Sequence, residues 1–461
     1  MKKLLVVEPV VAFYMFAAFA SYPVMQQYVY RRLWEETINT SFVDNNNMSY
    51  CELNETDPIY LKQKEVQEKA SLFTMKLDLS GNFISILVAF VLVSNGDRCG
   101  RKISLVLPLV GNLLTSTFLS ITAYYSLPLS FLFASAFVSS FFGGMATFLG
   151  GAFSFVVDLC ETEKQKTIRI AVVDFILGLM SGLGGLSSGY ILRGTGFMWT
   201  FATFSFLHLI NVFYCTCCLG DTVQVSELSP RSLKEGMKET FSGIYLLFKS
   251  SSSRKRTSII LMLCVFMIYL FTMFGGSSLF TLYELNAPLC WDAIYVGYGS
   301  AASTLISLTS FLGVVILSQY LRDIYLVFLG ISSYIGGIIM AAFANTTLLM
   351  FLVRIPCSLC SMPIPVLRAM LSKTVLPTEQ GAIFACIACL EVFTASASIA
   401  IFSSVYAETV AWFPGFTFLL SAAICIVPLS LLSWLKCGAW HEDDYVHLVS
   451  DEDSVGESAD S

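Results

Sequence analysis

Twelve apolar stretches are the feature that most constrains this chain. They follow one another between Leu4 and Lys436, and most of them approach the roughly 20 residues that a helix needs to cross a bilayer's hydrocarbon core. The composition agrees, because 56% of the residues are hydrophobic and 13% are charged, whereas a soluble domain is about 25% charged. No soluble domain could hide that much apolar surface, so the sequence predicts an integral membrane protein.

The pattern of spans predicts the fold class. We place the spans at residues 4–28, 73–95, 103–125, 127–157, 168–192, 198–219, 258–283, 294–318, 324–344, 347–372, 382–405 and 411–436. The expected architecture is an all-α membrane protein with twelve transmembrane helices in two pseudo-symmetric halves of six, residues 1–219 and 258–436. A cytosolic linker, residues 220–257, joins the halves, and an acidic cytosolic tail follows at 437–461.

The distribution of basic residues predicts the orientation. Of the 27 Lys and Arg residues, 18 lie on the side of the chain ends and seven on the other side, while Arg354 and Arg368 fall inside a span. The positive-inside bias therefore places both termini in the cytosol. Three sequons, at Asn39, Asn47 and Asn54, all lie in the first large loop, residues 29–72. That loop is lumenal in this topology, so we expect glycosylation there.

A short polar loop between the second and third spans carries the first motif. The run from Gly96 to Lys102 reads Gly-Asp-Arg-Cys-Gly-Arg-Lys, and it resembles the signature turn of the major facilitator superfamily. The residues of this motif that we assign to a conformational role are Asp97, Arg98, Gly100 and Arg101. An acid beside two bases can form charge-assisted bonds in one conformation that the other breaks. We therefore expect a conformational latch.

Ionisable residues inside spans are costly, by about 2.5–3.5 kcal/mol on insertion scales, and each is a functional candidate. The candidates in this chain are Asp78, Asp158, Asp174, His208, Arg354, Arg368 and Glu391. A buried carboxyl can carry a proton, and a buried guanidinium can bind an organic anion. The structural alternatives are an interhelical pair for Asp174, an interhelical hydrogen bond for Glu391, and a salt bridge from Arg368 to Asp158 or Glu391.

Longer motifs indicate one family. Residues 281–292, 297–300, 368–373 and 378–381 are similar to solute carrier family 46, which includes the proton-coupled folate transporter. The resemblance covers nearly the whole chain. It implies proton-coupled symport of amphipathic organic anions, such as steroid conjugates and bile acids, from the lysosomal lumen to the cytosol. Muropeptides and drug catabolites are further candidate substrates, and the plasma membrane is the alternative location.

The resemblance also implies roles for single residues. Asp174 occupies the place of a family carboxylate that is tied to proton coupling, with Asp158 and Glu391 as further candidates. Arg368 matches an arginine tied to substrate handling, and Arg354 is the second candidate for substrate binding. The family joins two lumenal cysteines, which implies a disulfide between Cys51 and Cys290. Protons are the coupling ion, and no other cofactor is expected.

The acidic tail carries a candidate sorting signal. Tyr445 and Leu448 form a Tyr-x-x-bulky pattern among eight acidic residues after Lys436. Clathrin adaptors bind such peptides as an added strand with two side-chain pockets. The alternative is an uninformative acidic tail. The expected partners are therefore a small organic substrate, the lipid bilayer and an adaptor, with no nucleic acid.

Rival functions remain open at this point. A proton-driven antiporter of cationic drugs would have little need for Arg368, and a non-transporting receptor or scaffold would need no proton carrier. An enzyme is not expected, because the chain has three histidines and no nucleophile-base-orienter set or metal-ligand spacing. The pairs Cys357-x-x-Cys360 and Cys386-x-x-Cys389 lie on apolar helices, and we interpret them as packing residues.

Overall fold

Helices make up nearly all of the described backbone. The structure, a computed structural model, describes residues 7–38, 58–94, 96, 100–220, 253–285, 289, 291, 293–376, 379–409 and 412–437, and no strand occurs in these ranges. Lipid offers no hydrogen-bond partners, so a spanning backbone must satisfy its own N–H and C=O groups. A helix does this within one segment, which is why so apolar a chain becomes helical.

The helices follow the apolar stretches along the chain. In order, they are α1 (Glu8–Ile38), α2 (Pro58–Ser94), α3 (Ile103–Tyr125), α4 (Phe131–Ser140), α5 (Gly144–Asp158), α6 (Glu163–Cys218), α7 (Ser253–Leu285), α8 (Ala293–Leu317), α9 (Asp323–Ala342), α10 (Thr347–Leu352), α11 (Pro363–Thr374), α12 (Gln380–Thr409), α13 (Phe416–Ile424) and α14 (Ile426–Cys437). A 3-10 helix, Pro356–Leu359, lies between α10 and α11.

Nine segments of the described chain are long and apolar enough to cross a membrane. One of them, α6, has 56 residues and leaves helical geometry at Gly196 (φ 74°, ψ 169°), where the chain reverses and makes a second crossing. Shorter apolar helices at Ile84–Val93 and Ala302–Leu317 supply two more. The total is twelve crossings, as the sequence predicts.

Two helices extend beyond the expected spans. We expected a loop at 29–72, but α1 continues to Ile38 and α2 begins at Pro58. Arg31 lies 3.3 Å from Glu35, one turn further along α1. Such pairs stabilise an exposed helix by a few tenths of a kcal/mol each, so α1 stays helical after its apolar run has ended.

The even number of crossings places both chain ends on one side of the bundle. We call this side the termini face; it is where α1 begins and α14 ends. The Lys102 ammonium donates to the Thr216 carbonyl there (2.7 Å), and Lys373 pairs with Asp323 (2.5 Å). These contacts tie neighbouring helix ends within each half. The largest apolar core runs through both halves above this face.

The fourth and tenth crossings are broken rather than continuous. The fourth crossing is interrupted between α4 and α5, where Gly143 (φ 86°) and Gly144 (φ 51°) take left-handed conformations that favour glycine. The tenth is interrupted around Pro356 and Pro363, because proline removes a helical hydrogen bond. Broken helices of this kind expose backbone groups only where a cavity or protein contact satisfies them.

We expect Gly330→Ala to destabilise the second half. A Cβ at Gly330 would lie 2.4 Å from Pro363 Cδ and 3.0 Å from the Leu359 carbonyl oxygen. Overpacking of this kind costs about 1–3 kcal/mol, measurable as a lower melting temperature in detergent. Gly336→Ala on the same helix is the control, because its Cβ would meet only Pro356 at 3.9 Å. Equal melting of the two variants would contradict close packing of α9 on the broken crossing.

Candidate functional site

A cavity of about 410 Å³ lies between the two halves. Its walls are mostly apolar and aromatic, with side chains from α1, α5, α6, α7, α8, α11 and α12. Phe19, Phe175, Phe274 and Phe311 are among them. Cavities of about 300–1,000 Å³ with apolar walls and a few convergent polar groups are typical of small-molecule sites. We call it the central cavity.

Three charged residues meet at the wall of the central cavity. The Arg368 guanidinium pairs with Asp174, and its Nε donates to Glu391 Oε1 (3.1 Å) while its second terminal nitrogen pairs with the same carboxylate. Asp174 belongs to α6 in the first half, whereas Arg368 and Glu391 belong to α11 and α12 in the second. We call this set the charged triad. Within the charged triad, the ion pair between Arg368 and Asp174 joins the two halves directly.

Local structure places Arg368 in the triad. The arginine lies near the middle of α11, the short helix that restarts the broken tenth crossing at Pro363. Its side chain is 5% exposed, and the guanidinium carbon lies 4.3 Å from the Phe153 ring centroid and 5.7 Å from that of Phe266. Cation–π contact of this kind contributes about 0.5–2 kcal/mol and holds the planar group in one orientation.

The charges of the triad do not balance. Two carboxylates face one guanidinium, so the formal charge with both acids ionised is –1. Asp174 and Glu391 also differ in their bonding. Glu391 meets two nitrogens of Arg368, whereas Asp174 meets one, and Asp174 Oδ2 is buried without a hydrogen-bond partner in the described part of the chain. One bound proton would therefore neutralise the triad, and Asp174 is the acid with fewer bonds to Arg368.

The halves are packed together between the central cavity and the termini face. The rings of Phe153 and Phe384 stack across the halves, with centroids 6.2 Å apart and planes at 18°. One turn nearer the cavity, a Cβ on Gly150 would lie 3.5 Å from Ala388 Cβ. Phe153 thus contacts Arg368 on one side and closes the bundle on the other. The central cavity is closed from the termini face by this layer.

The predicted latch is partly described. Arg101 is 1% exposed, and its Nε donates to Asp158 Oδ2 (2.9 Å), while Gly100 takes a left-handed conformation (φ 93°). Asp97 and Arg98 lie outside the described residues. We expected Asp158 as a proton-coupling acid or a partner of Arg368. The structure instead places it with Arg101 at the termini face, because α5 runs past the triad and ends there.

Arg354 lies apart from the central cavity. We expected it to bind substrate, but its Nη2 donates to Glu284 Oε1 (3.0 Å) and its Nη1 donates to the Met350 carbonyl (2.9 Å), near the face opposite the termini. Glu284 is 3% exposed. The cause is the short α10, which ends before Arg354 and turns it toward the end of α7. This geometry gives Arg354 a structural partner.

Two buried acids, Glu8 and Glu284, are not among the site residues predicted from the sequence. Glu8 forms a 2.6 Å ion pair with Arg169, and both side chains are under 10% exposed. Glu284 pairs with Arg354. The signal for Glu8 was available, since a carboxylate inside an apolar run needs a partner. Glu284 follows the end of the predicted span 258–283, and burial at such a position is not readable from the sequence.

Several predicted residues lie outside the described parts of the chain. They are Asn39, Asn47, Asn54, Cys51, Cys290, Tyr445 and Leu448, together with Asp97 and Arg98. Cys357 and Cys360 are described and buried. Within the described residues no group of three His, Cys, Asp or Glu side chains could hold a metal ion.

Solved structures with this arrangement of helices define the class of protein. The human organic anion transporter MFSD10 (TETRAN) aligns over 92% of this chain and 98% of its own, with a TM-score of 0.68 and 15% identity. The proton:xylose symporter XylE aligns over 94% and 95%, with a TM-score of 0.62 and 11% identity. The fold is that of the major facilitator superfamily, and the expected twelve-helix architecture is confirmed.

Curated sequences identify the family. The lysosomal proton-coupled steroid conjugate and bile acid symporter SLC46A3 of Gallus gallus is 58% identical over 100% of both chains, and that of Homo sapiens is 44% identical over 98% of each. The proton-coupled folate transporter of Rattus norvegicus is 30% identical over 93% of this chain and 92% of its own. No family model matches. The chain belongs to solute carrier family 46, a family of membrane transporters and not of enzymes.

We expect Glu284→Gln to destabilise the protein by about 2–4 kcal/mol, because it leaves the Arg354 guanidinium buried without its counter-charge. Arg354→Met combined with it should cost less than the two single changes added together. Thermal unfolding in detergent measures both. Glu163→Gln is the control, since its pair with Lys166 is exposed and worth about 0–1 kcal/mol. Additive costs would mean that the two side chains act independently.

Proposed function

We propose that this protein is a proton-coupled symporter that carries amphipathic organic anions from the lysosomal lumen to the cytosol. Steroid conjugates and bile acids are the leading substrates, with muropeptides and drug catabolites as further candidates. The observation that carries the proposal is the charged triad, which joins the two halves at the wall of an apolar cavity. The names of the SLC46A3 relatives support the substrate class and the compartment.

The proton enters the cycle at Asp174. One added proton brings the formal charge of the triad to zero, and Asp174 is the acid with the single bond to Arg368 and with one buried oxygen that has no hydrogen-bond partner among the described residues. Its side chain is also more exposed than that of Glu391, 17% against 11%. A protonated Asp174 loses most of its attraction for the guanidinium. The direct tie between the halves is then released.

The substrate anion takes the place that Asp174 gives up. Arg368 keeps Glu391 on Nε and Nη2, and the N–H donors of its other terminal nitrogen, Nη1, become available to an oxygen of a sulfate or carboxylate. Phe175 and Phe311, whose rings stack with centroids 4.8 Å apart, offer the aromatic wall for a hydrocarbon skeleton. An anion that binds only after protonation is a symported anion, and a monoanion then crosses with no net charge.

Alternating access follows from the same contacts. With both termini in the cytosol, the Phe153–Phe384 layer lies between the central cavity and the cytosol, and we assign the conformer to the lumen-facing state. Opening to the cytosol must separate that layer and the α5–α12 contact. We assign the Arg101–Asp158 pair and the adjoining Asp97 and Arg98 to the latch that alternates with this movement.

Three variants of the triad test the coupling. We expect Arg368→Ala to abolish uptake of a steroid sulfate into proteoliposomes, and Arg368→Lys to lower it about tenfold or more, because lysine lacks the planar fork. Asp174→Asn should make uptake independent of the pH gradient. Glu391→Gln is the matched control: it makes the same chemical change to the other acid of Arg368, and the pH dependence should persist.

The measurement is initial uptake with the substrate side acidic or neutral, at equal amounts of folded protein. Loss of pH dependence in both amide variants would remove Asp174 as the specific proton site. Full uptake of the anion by Arg368→Ala would contradict the assignment of Arg368 as the anion-binding group.

The tail and the lumenal loop complete the proposal. We assign Tyr445 and Leu448 to a clathrin-adaptor signal, the lysosomal membrane as the destination, and the plasma membrane as the site reached when the signal fails. Asn39, Asn47 and Asn54 are the proposed glycosylation sites and Cys51–Cys290 the proposed disulfide. Protons are the only cofactor the mechanism needs.

We expect Tyr445→Ala to move most of the protein from lysosomes to the cell surface, because the tyrosine fills one of the two adaptor pockets. Tagged protein and surface biotinylation measure the shift, and Tyr445→Phe with Leu448 intact is the milder comparison. A lysosomal distribution unchanged by Tyr445→Ala and Leu448→Ala together would exclude this signal.

A further inference from the structure

A second cavity of about 220 Å³ lies within the first half, among α1, α2, α3 and α4. Its walls differ from those of the central cavity. They carry seven hydroxyl or amide side chains, from Tyr22, Ser85, Asn112, Thr115, Ser135, Ser139 and Ser140, and no charged residue among those that the structure describes. We call it the side pocket. It exceeds the roughly 150 Å³ of a cavity that accommodates one benzene ring.

The side pocket adjoins the central cavity. On α1, Met15 and Phe19 line the central cavity, and Tyr22 and Met25, about seven residues further along, line the side pocket. At 1.5 Å per residue the two spaces are centred roughly 10 Å apart. At the break in the fourth crossing, two consecutive residues line different cavities: Gly144 lines the side pocket and Met145 lines the central cavity.

The hydroxyl groups of the side pocket present acceptors. The hydroxyls of Thr115, Ser139 and Ser140 each donate to a carbonyl of their own helix, at 3.0, 3.1 and 2.6 Å. A hydroxyl that donates its one proton in this way keeps its oxygen lone pairs as acceptors. The pocket therefore favours a ligand group that donates O–H bonds. It does not suit a second anion, because no cation among the described residues lines it.

The break beside the side pocket adds a further polar group. Thr147 Oγ1 is fully buried and has no hydrogen-bond partner among the residues described, and it lies 2.1 Å from where a Cβ on Gly143 would be. A buried polar atom without a partner is costly. An uncharged polar ligand or a water that enters at the break would satisfy it.

The geometry points to a subsite in the first half that binds the uncharged, hydroxylated end of an amphipathic anion whose ionised end pairs with Arg368. This inference rests on the proposed function and extends it. The substrate class becomes a molecule with an anionic group at one end and O–H donors roughly 10 Å or more away, joined by an apolar skeleton. A hydroxylated bile acid has this form, and its hydroxyl-free analogue lacks the second end.

Binding to purified protein tests the subsite without requiring transport. The ligands are a trihydroxy bile acid and the hydroxyl-free cholanic acid of the same skeleton, each radiolabelled. We expect Thr115→Val combined with Ser135→Ala to raise the Kd of the trihydroxy acid about tenfold, by the loss of two hydrogen bonds. The Kd of cholanic acid should stay within about twofold. Ser135→Leu, which fills the pocket, should act in the same direction.

The control is Thr117→Val, the same chemical change on α3 at a hydroxyl that contacts Ser205 outside the pocket (2.6 Å). It should alter neither Kd. Each variant is first checked for a melting temperature equal to that of the unaltered protein. If only one of the two pocket variants, the Thr115→Val, Ser135→Ala double variant or Ser135→Leu, passes this check, that variant is sufficient to test the subsite. Equal shifts for both acids, or no shift for either, would overturn the subsite.

Arg368→Ala separates this inference from the proposed function. It should weaken both acids alike, because both carry the carboxylate. If Arg368→Ala leaves both Kd values unchanged while the pocket variants still discriminate, the subsite stands and the assigned anion site fails. If Arg368→Ala weakens both acids and the pocket variants discriminate between neither, the anion site stands and the subsite fails.

Discussion

One guanidinium shared between two carboxylates is the interaction on which the rest of this structure depends. Arg368 contacts an acid of its own half, Glu391, and an acid of the other half, Asp174. Charges buried this deeply are stable only when paired. The bundle therefore has to hold its halves together while Asp174 is ionised. In the mechanism we propose, a proton on that acid removes the need, so protonation of one carboxylate controls the contact between two groups of six helices.

The aromatic residues around the triad connect this chemistry to access. Phe153 lies under the Arg368 guanidinium and stacks on Phe384 across the halves. A shift of Arg368 would therefore move Phe153, which belongs to the Phe153–Phe384 layer on the side of the termini face. The interruptions of the fourth and tenth crossings have a related effect. They place short helices and small residues beside the cavities, where continuous helices would fill the space with side chains.

Much of the site could be predicted from the sequence, because charge inside an apolar span is rare and demands a reason. Asp174, Arg368 and Glu391 were candidates on that ground alone, and the structure brings all three together. Asp158 and Arg354 met the same criterion but lie elsewhere, with Arg101 and Glu284. The position of a residue along a span indicates only its depth in the membrane. Which neighbour a residue faces depends on helix rotation and on breaks that local sequence does not specify.

The sequence by itself determined that this chain crosses a membrane twelve times and identified several of the residues that carry charge within it. The physical reason is that hydrocarbon penalises every polar group, so composition and spacing along the chain suffice to read the spans. Only the tertiary structure decided the pairing of Arg368 with acids of both halves, the closure at Phe153 and the two adjoining cavities. Those features arise from contacts between residues nearly two hundred positions apart, such as Asp174 and Arg368, and no pattern along the chain encodes them.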